Sequence, residues 1–348
     1  MASAALLLNQ SDGMIFCITI DLCETVVTKV PVVLNIVEVH KRHSKGGHAT
    51  IIKAEIFPAN ELFCYSFICF MKLRFHTSLV LLIISLVVPA ICAAQTDTTP
   101  LFRVIAFYTA KNDAAHISFV HEANAWFPKM AAKYHFSYDS TNNWQNLNPA
   151  FLSGYQVVIF LDTRPDDPAQ RAAFQQYMEQ GGGWMGFHFA AFALTPSDFP
   201  DNWSWYHYTF LGSGAYGSNT WRPTPAILRV EAPQHPAMKN LPDTFSACPN
   251  EWYRWNNDLR KNPDIDILLS IDPRSFPLGT GPKPQEIWHS GYYPVVWTNR
   301  KYKMIYLNMG HNDIDYEHHT NKELSSTFGS SVQNRLILDA LFWVAESK

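Results

Sequence analysis

Short apolar runs that stop at a polar residue alternate with helically spaced stretches through the middle of this chain. Residues 103–108 are a compact apolar run followed by the polar stretch 109–113, which predicts a buried strand and then a loop. Over residues 115–133, Ile117, Val120, Ala123, Ala125, Phe127 and Met130 recur at helical spacing, so a helix is expected there despite Pro128. Residues 136–138 and 155–161 predict two further strands, the second ending at Asp162. Asp166, Asp167 and Pro168 mark a helix start, with Phe174, Tyr177 and Met178 on its apolar face. Residues 181–187 then form a strand that stops at His188, so the order is β-α-β-β-α-β. That alternation predicts an α/β fold, a parallel sheet with helices on both faces in a flavodoxin-like or related doubly wound topology.

Beyond His188 the pattern loosens into the aromatic segment Trp203, Trp205, Tyr206, Tyr208 and Phe210. Strands are expected again at 226–230, 266–271, 294–297 and 303–307, with a turn at 231–236. An amphipathic helix at 331–345 turns Leu336, Leu338, Leu341 and Phe342 inward. The pattern describes one domain with an irregular insertion between about residues 195 and 225.

The first 94 residues do not share this character. All 11 tryptophans lie beyond Met71, whereas four of the six cysteines precede it. Residues 71–94 run from the basic Met71-Lys72-Leu73-Arg74 through an apolar stretch to Ala90-Ile91-Cys92-Ala93-Ala94, the order of a secretory signal. Residues 1–70 then read as an over-called start or unstructured extension, and residues 95–348 as the α/β domain, periplasmic or extracellular. The alternatives are a real extension with strands at 32–39 and 49–57, and a membrane anchor at 77–93 if that segment is not cleaved. A domain starting near Gln95 keeps only Cys248, so no internal disulfide is expected. With 27 Lys and Arg against 30 Asp and Glu, and no basic run interleaved with aromatics, nothing favours a nucleic-acid partner.

The strand tips carry the candidate chemistry. In an open α/β sheet, ligands bind beyond the carboxyl ends of the strands, which is where His188 falls. A second buried-looking strand, Met304-Ile305-Tyr306-Leu307, leads through Asn308-Met309-Gly310 to His311. If both strands run in one direction, the two imidazoles share an edge and either bind a divalent metal or act as acid and base. The alternative is two unrelated histidines, each hydrogen-bonded to its own loop. Two ring nitrogens are too few for a closed zinc site, and no His-Glu-x-x-His spacing is present. A third ligand would come from Glu251, His116, Asp313 or His289.

Glu251 is flanked by aromatics in Asn250-Glu251-Trp252-Tyr253, which suits it either to proton transfer or to an ordinary ion pair. His116 follows the loop after the first strand, at the same crevice or in a capping role. His235-Pro236 reads as a turn, and His207, His318 and His319 have no supporting pattern. Flat rings in the irregular half, Trp205, Tyr206, Trp252, Tyr253 and Trp297 among them, are candidates to stack on a sugar, although each singly fits a core as well. No glycine-rich phosphate loop accompanies them.

Residues 102–345 resemble the trehalose-utilisation, or ThuA-like, family. The resemblance is carried by Gly181-Gly182-Gly183-Trp184-Met185-Gly186-Phe187-His188, Trp205-Tyr206, His235-Pro236, Asn250-Glu251-Trp252-Tyr253, Pro294-Val295-Val296-Trp297, Tyr306 with Gly310-His311, and Phe342-Trp343-Val344-Ala345. It implies a fold similar to the class I glutamine amidotransferases, with His188 where those enzymes carry a cysteine nucleophile. It also implies a part in the uptake and breakdown of disaccharides and related glycosides, with a carbohydrate as the small-molecule ligand. Two departures stand out: Asn250 replaces the family's usual Asp, and Asn219-Thr220-Trp221-Arg222-Pro223 stands where a Gly-His-Pro is usual. The expected site is a crevice of His116, His188, Glu251 and His311. There the imidazoles exchange protons with a sugar hydroxyl or carbonyl, or orient it, beside Glu251. A metal-dependent hydrolase and a non-catalytic sugar-binding module are the rival readings.

Overall fold

The computed structural model describes residues 99–193, 203–220, 222–275, 288 and 291–346, and the backbone of four strands within residues 3–58. The leader-like segment 71–94 lies outside the described residues. The chain divides into two units, Met1–Gln95 and Thr96–Lys348. In the first, β1 (Ser3–Asn9), β2 (Cys17–Ile20), β3 (Val32–Ser44) and β4 (Gly47–Pro58) form an antiparallel sheet in the order β2-β1-β4-β3.

The second unit is built on a nine-stranded sheet. β5 (Arg103–Phe107) leads to α1 (Ala114–Tyr134), whose first turn is capped by the Asp113 carboxylate accepting from the Ala115 amide at 2.8 Å. His135, with φ 59°, ends α1 in a left-handed cap. β6 (Ser137–Thr141) follows, then a short helix α2 (Pro149–Leu152) capped by Asn148, whose Oδ1 accepts from the Phe151 amide. β7 (Val157–Phe160), α3 (Pro168–Glu179) and β8 (Gly183–Phe187) complete the expected half. The rest comprises a π-helical turn Trp205–Phe210, β9 (Tyr216–Asn219), β10 (Ile227–Val230), β11 (Thr244–Ser246), β12 (Tyr253–Trp255), β13 (Ile265–Ile271), β14 (Tyr293–Asn299), β15 (Lys303–Leu307) and α4 (Ser331–Ala345).

The strand order is β11-β10-β13-β14-β15-β8-β7-β5-β6, and only the run from β15 to β6 is parallel. The other half is antiparallel. The reason is local for β14 and β15: three residues, Arg300 to Tyr302, join them, too few for a parallel crossover. β15 therefore runs with β8, Leu307 paired with Phe187, and both strands end at one edge.

Two buried clusters fill the faces. Phe119, Phe127, Phe187, Leu336 and Leu341 sit in one, under α1 and α4. Phe160, Phe174, Trp184, Tyr206 and Trp297 sit in the other, under α3 and the π-helical turn. The glycines of β8 make this packing possible. A Cβ on Gly183 would overlap the Val344 carbonyl of α4, and one on Gly186 would overlap the Trp184 ring. No described helix is long and apolar enough to cross a membrane.

His207, fully buried in the π-helical turn, has its imidazolium form disfavoured by burial and then by the Arg164 guanidinium, which push its pKa down to about 3. The unfolded chain, with a histidine pKa of about 6.5, binds this proton first, so stability present above pH 6.5 is lost as pH falls towards the folded value. Urea unfolding of the His207→Gln protein between pH 6.5 and 4 is expected to show a pH slope shallower by up to about 1.4 kcal/mol per pH unit. An unchanged slope would mean that His207 takes up no proton on unfolding.

Candidate functional site

β8 delivers His188 as the first residue of a 3-10 turn, His188–Ala191, with φ 38°. This left-handed backbone at a strand tip is strained for a residue with a side chain, and strain of that kind gathers at functional sites. Two bonds hold the residue: the Tyr306 hydroxyl donates to its carbonyl at 2.8 Å, and its Nδ1 lies 3.1 Å from the Asn308 carbonyl oxygen. A carbonyl can only accept, so Nδ1 carries the ring proton and Nε2 bears the lone pair. The Tyr253 ring covers the imidazole, with centroids 4.0 Å apart.

Beyond β15 the chain turns through Gly310, φ 131°, where a Cβ would sit 3.1 Å from the Cβ atoms of both His188 and Phe187. This close approach brings His311 beside His188. The turn is clamped by Asn250: its Oδ1 accepts from the amides of Gly310 and His311 at 3.1 and 3.0 Å. Its Nδ2 donates to the carbonyls of Asn308 and Glu251 at 2.7 and 3.0 Å. An aspartate would accept as well but could not donate to those carbonyls. Glu251 lies next in sequence, 5 % exposed, its Oε1 accepting from Asn219 Nδ2 at 2.7 Å. Its Oε2 stands 3.3 Å from His188 Nε2 and 3.8 Å from His311 Nε2.

His116 enters from the first turn of α1, half-buried, and closes the group. Its ring centroid is 5.3 Å from that of His188 and 4.9 Å from that of His311, which are themselves 5.2 Å apart. One ring nitrogen from each of the three lies within 4.8 Å of the others, so this trio could hold a metal ion. Burial lowers all three pKa values, that of His188 to about 4 despite the Asn308 hydrogen bonds. Around His116 the proximity of His188 adds to burial and Asp113 opposes it; around His311, Glu251 opposes burial. At neutral pH the trio is therefore uncharged, three lone pairs beside one carboxylate.

This geometry sits in a chain that can be matched to others. The family model described as trehalose utilisation, ThuA, matches residues 103–326. A ThuA-like protein from Bacteroides uniformis is 36% identical, with a TM-score of 0.62 over 72% of this chain and 94% of that one. The chain belongs to the ThuA family. A second ThuA-like protein, from Parabacteroides merdae, shares the fold at 18% identity and a TM-score of 0.50, over 71% of this chain and 90% of that one. A comparison with curated proteins finds no match.

In this ThuA domain His116, His188, Glu251 and His311 come together, although 195 positions separate the first from the last. Among the proposed third ligands His116 fills the place, Asp313 pairs with Arg222 Nε at 3.3 Å, and His289 lies outside the described residues. The aromatic platform needs correction. Tyr206, Trp252 and Trp297 are wholly buried, their polar atoms donating to the carbonyls of Ala190, Thr224 and Leu211. Trp205 packs on Phe210 and Trp203 in the cluster under α3. These rings are core because each N–H or O–H of the buried three finds a backbone acceptor inside. Only Tyr253 of the five touches the histidines. It also lines a groove of about 440 Å³ with Arg254, Trp255, Asn257, Arg260 and Tyr292. Three asparagines that orient the site, Asn219, Asn250 and Asn308, were not among the expected site residues.

Proposed function

We propose that this ThuA family protein processes a carbohydrate of the disaccharide or glycoside class at the His116, His188, His311 and Glu251 cluster. Glu251 takes a proton from the sugar, and the neutral imidazoles orient the hydroxyl or carbonyl oxygen that reacts. The observation that carries this reading is the convergence of three uncharged imidazoles, two of them within 3.8 Å of the Glu251 carboxylate, at the carboxyl ends of the strands. A carboxylate held by Asn219 on one oxygen and left facing the cluster with the other is aimed as a base should be. The groove beside Tyr253, with its mixture of rings, amides and charges, suits a polyhydroxyl ligand. Export of the domain is part of the proposal, supported by the leader-like residues 71–94 and by a compact unit that starts at Thr96.

The test is a turnover screen of oxidised and unmodified disaccharides, run in parallel on the wild type and on His188→Ala. At least one sugar should be turned over by the wild type, and His188→Ala should lose at least a hundredfold in kcat with affinity within a few-fold. Sugar binding without turnover of any substrate, with affinity lost on His188→Ala, would instead identify a binding module.

A further inference from the structure

We infer that His116, His188 and His311 are the protein ligands of one divalent transition-metal ion, of which zinc is the type, with Glu251 Oε2 supplying the negative charge beside it. The inference rests on the preceding reading of the cluster and specifies how its imidazoles hold a sugar oxygen: through the ion.

Four observations lead there. The three rings arrive from separate elements, the first turn of α1 and the tips of β8 and β15, yet offer nitrogens within 4.8 Å of one another. Among the described residues His116 Nε2, His188 Nε2 and His311 Nδ1 are buried without a hydrogen-bond partner. Three such atoms in one small space are costly unless something positive meets them.

The third observation is a confrontation of acceptors. His188 gives its only ring proton to the Asn308 carbonyl, so its Nε2 lone pair faces Glu251 Oε2 at 3.3 Å. Two acceptors at that distance repel unless a proton or a cation lies between them. Fourth, the Nδ1–H of His188 bound to a backbone carbonyl is the outer-shell contact that fixes a metal-binding imidazole in one tautomer.

The donor set selects the ion. Imidazole nitrogens with one carboxylate suit zinc, cobalt, manganese or iron, whereas calcium and magnesium call for oxygen ligands throughout. With three protein nitrogens the ion keeps a position open for a sugar oxygen, as catalytic rather than structural sites do. Glu251 beside that position accepts the proton of an ion-bound hydroxyl, which the ion makes more acidic.

The full chain, purified without a histidine tag, is stripped with chelator and titrated with Co²⁺ while its visible absorption is followed. Metal content of the untreated protein is measured alongside. One equivalent of bound Co²⁺ displaced by Zn²⁺ is expected, together with a rise in Tm on reloading. His116→Ala and His311→Ala should each weaken binding at least a hundredfold, while His235→Ala, at a half-buried histidine packed on Trp343 outside the cluster, should not. A folded wild type that takes up no Co²⁺ overturns the inference, as does binding untouched by either substitution. Sugar turnover is read separately. Turnover by the stripped protein at the full rate overturns the metal while the carbohydrate reading stands; stoichiometric metal with no sugar bound or turned over has the opposite meaning.

Discussion

Glu251→Gln is expected to lower kcat on the carbohydrate substrate by about 10²–10⁴-fold, the usual contribution of a positioned proton-transfer group. The substitution is nearly isosteric, and Gln can still accept the Asn219 Nδ2 hydrogen bond now made at 2.7 Å. On its other side it would offer an N–H towards His188 Nε2, where the wild type has two acceptors 3.3 Å apart. The fold should therefore hold, with an unchanged or higher Tm in the metal-free protein. A residue that only supported the fold would behave in the opposite way, losing Tm while keeping rate. Steady-state kinetics and a melting curve on the same preparation separate the two, and near-normal kcat would remove Glu251 from the chemistry.

Gly183→Val should have the largest effect on stability, a loss of about 3 kcal/mol, at the upper end of what overpacking a filled core costs. The added Cβ meets the carbonyl of Val344 and lies 3.0 Å from that of Gln156, both main-chain atoms that cannot swing aside. Relief would require α4 to lift from the sheet, and α4 buries Leu336, Ile337 and Leu341 there. For a domain of this size that loss lowers Tm by roughly 6–12 °C. Gly154→Ala is the comparison, because a Cβ there makes only ordinary contacts at 3.5 and 3.6 Å. Equal melting points for the two variants would show that α4 does not press on β8 as described.

The parallel half of the sheet was legible because buried strands read as unbroken apolar runs, and because His188 and His311 interrupt such runs where a tip must be. Direction was not legible for β10 and β13, since an apolar run looks alike in parallel and antiparallel pairing; for β14 and β15 the short turn decides it. The tryptophans misled for a related reason. An indole at a binding surface and one whose N–H reaches an internal carbonyl, as in Trp252 and Trp297, leave the same letter in the chain. The asparagines were hidden because a short amide in a loop looks like turn chemistry. Only the folded arrangement reveals that the Asn250 side chain ties its own loop to the 308–311 turn. Its clamp needs both the acceptor and the donor of an amide, at a position that meets the site through its neighbours.

The middle position of β15 has a further consequence for how the domain is made. In the strand order, residues 303–307 stand between two four-stranded groups, β6-β5-β7-β8 and β11-β10-β13-β14, which no other strand joins in this sheet. β15 pairs with β14 on one side and β8 on the other, and so covers one edge of each group. The strand that makes the sheet continuous is also the one that leads to His311, so the unity of the scaffold and the completeness of the cluster depend on the same short segment.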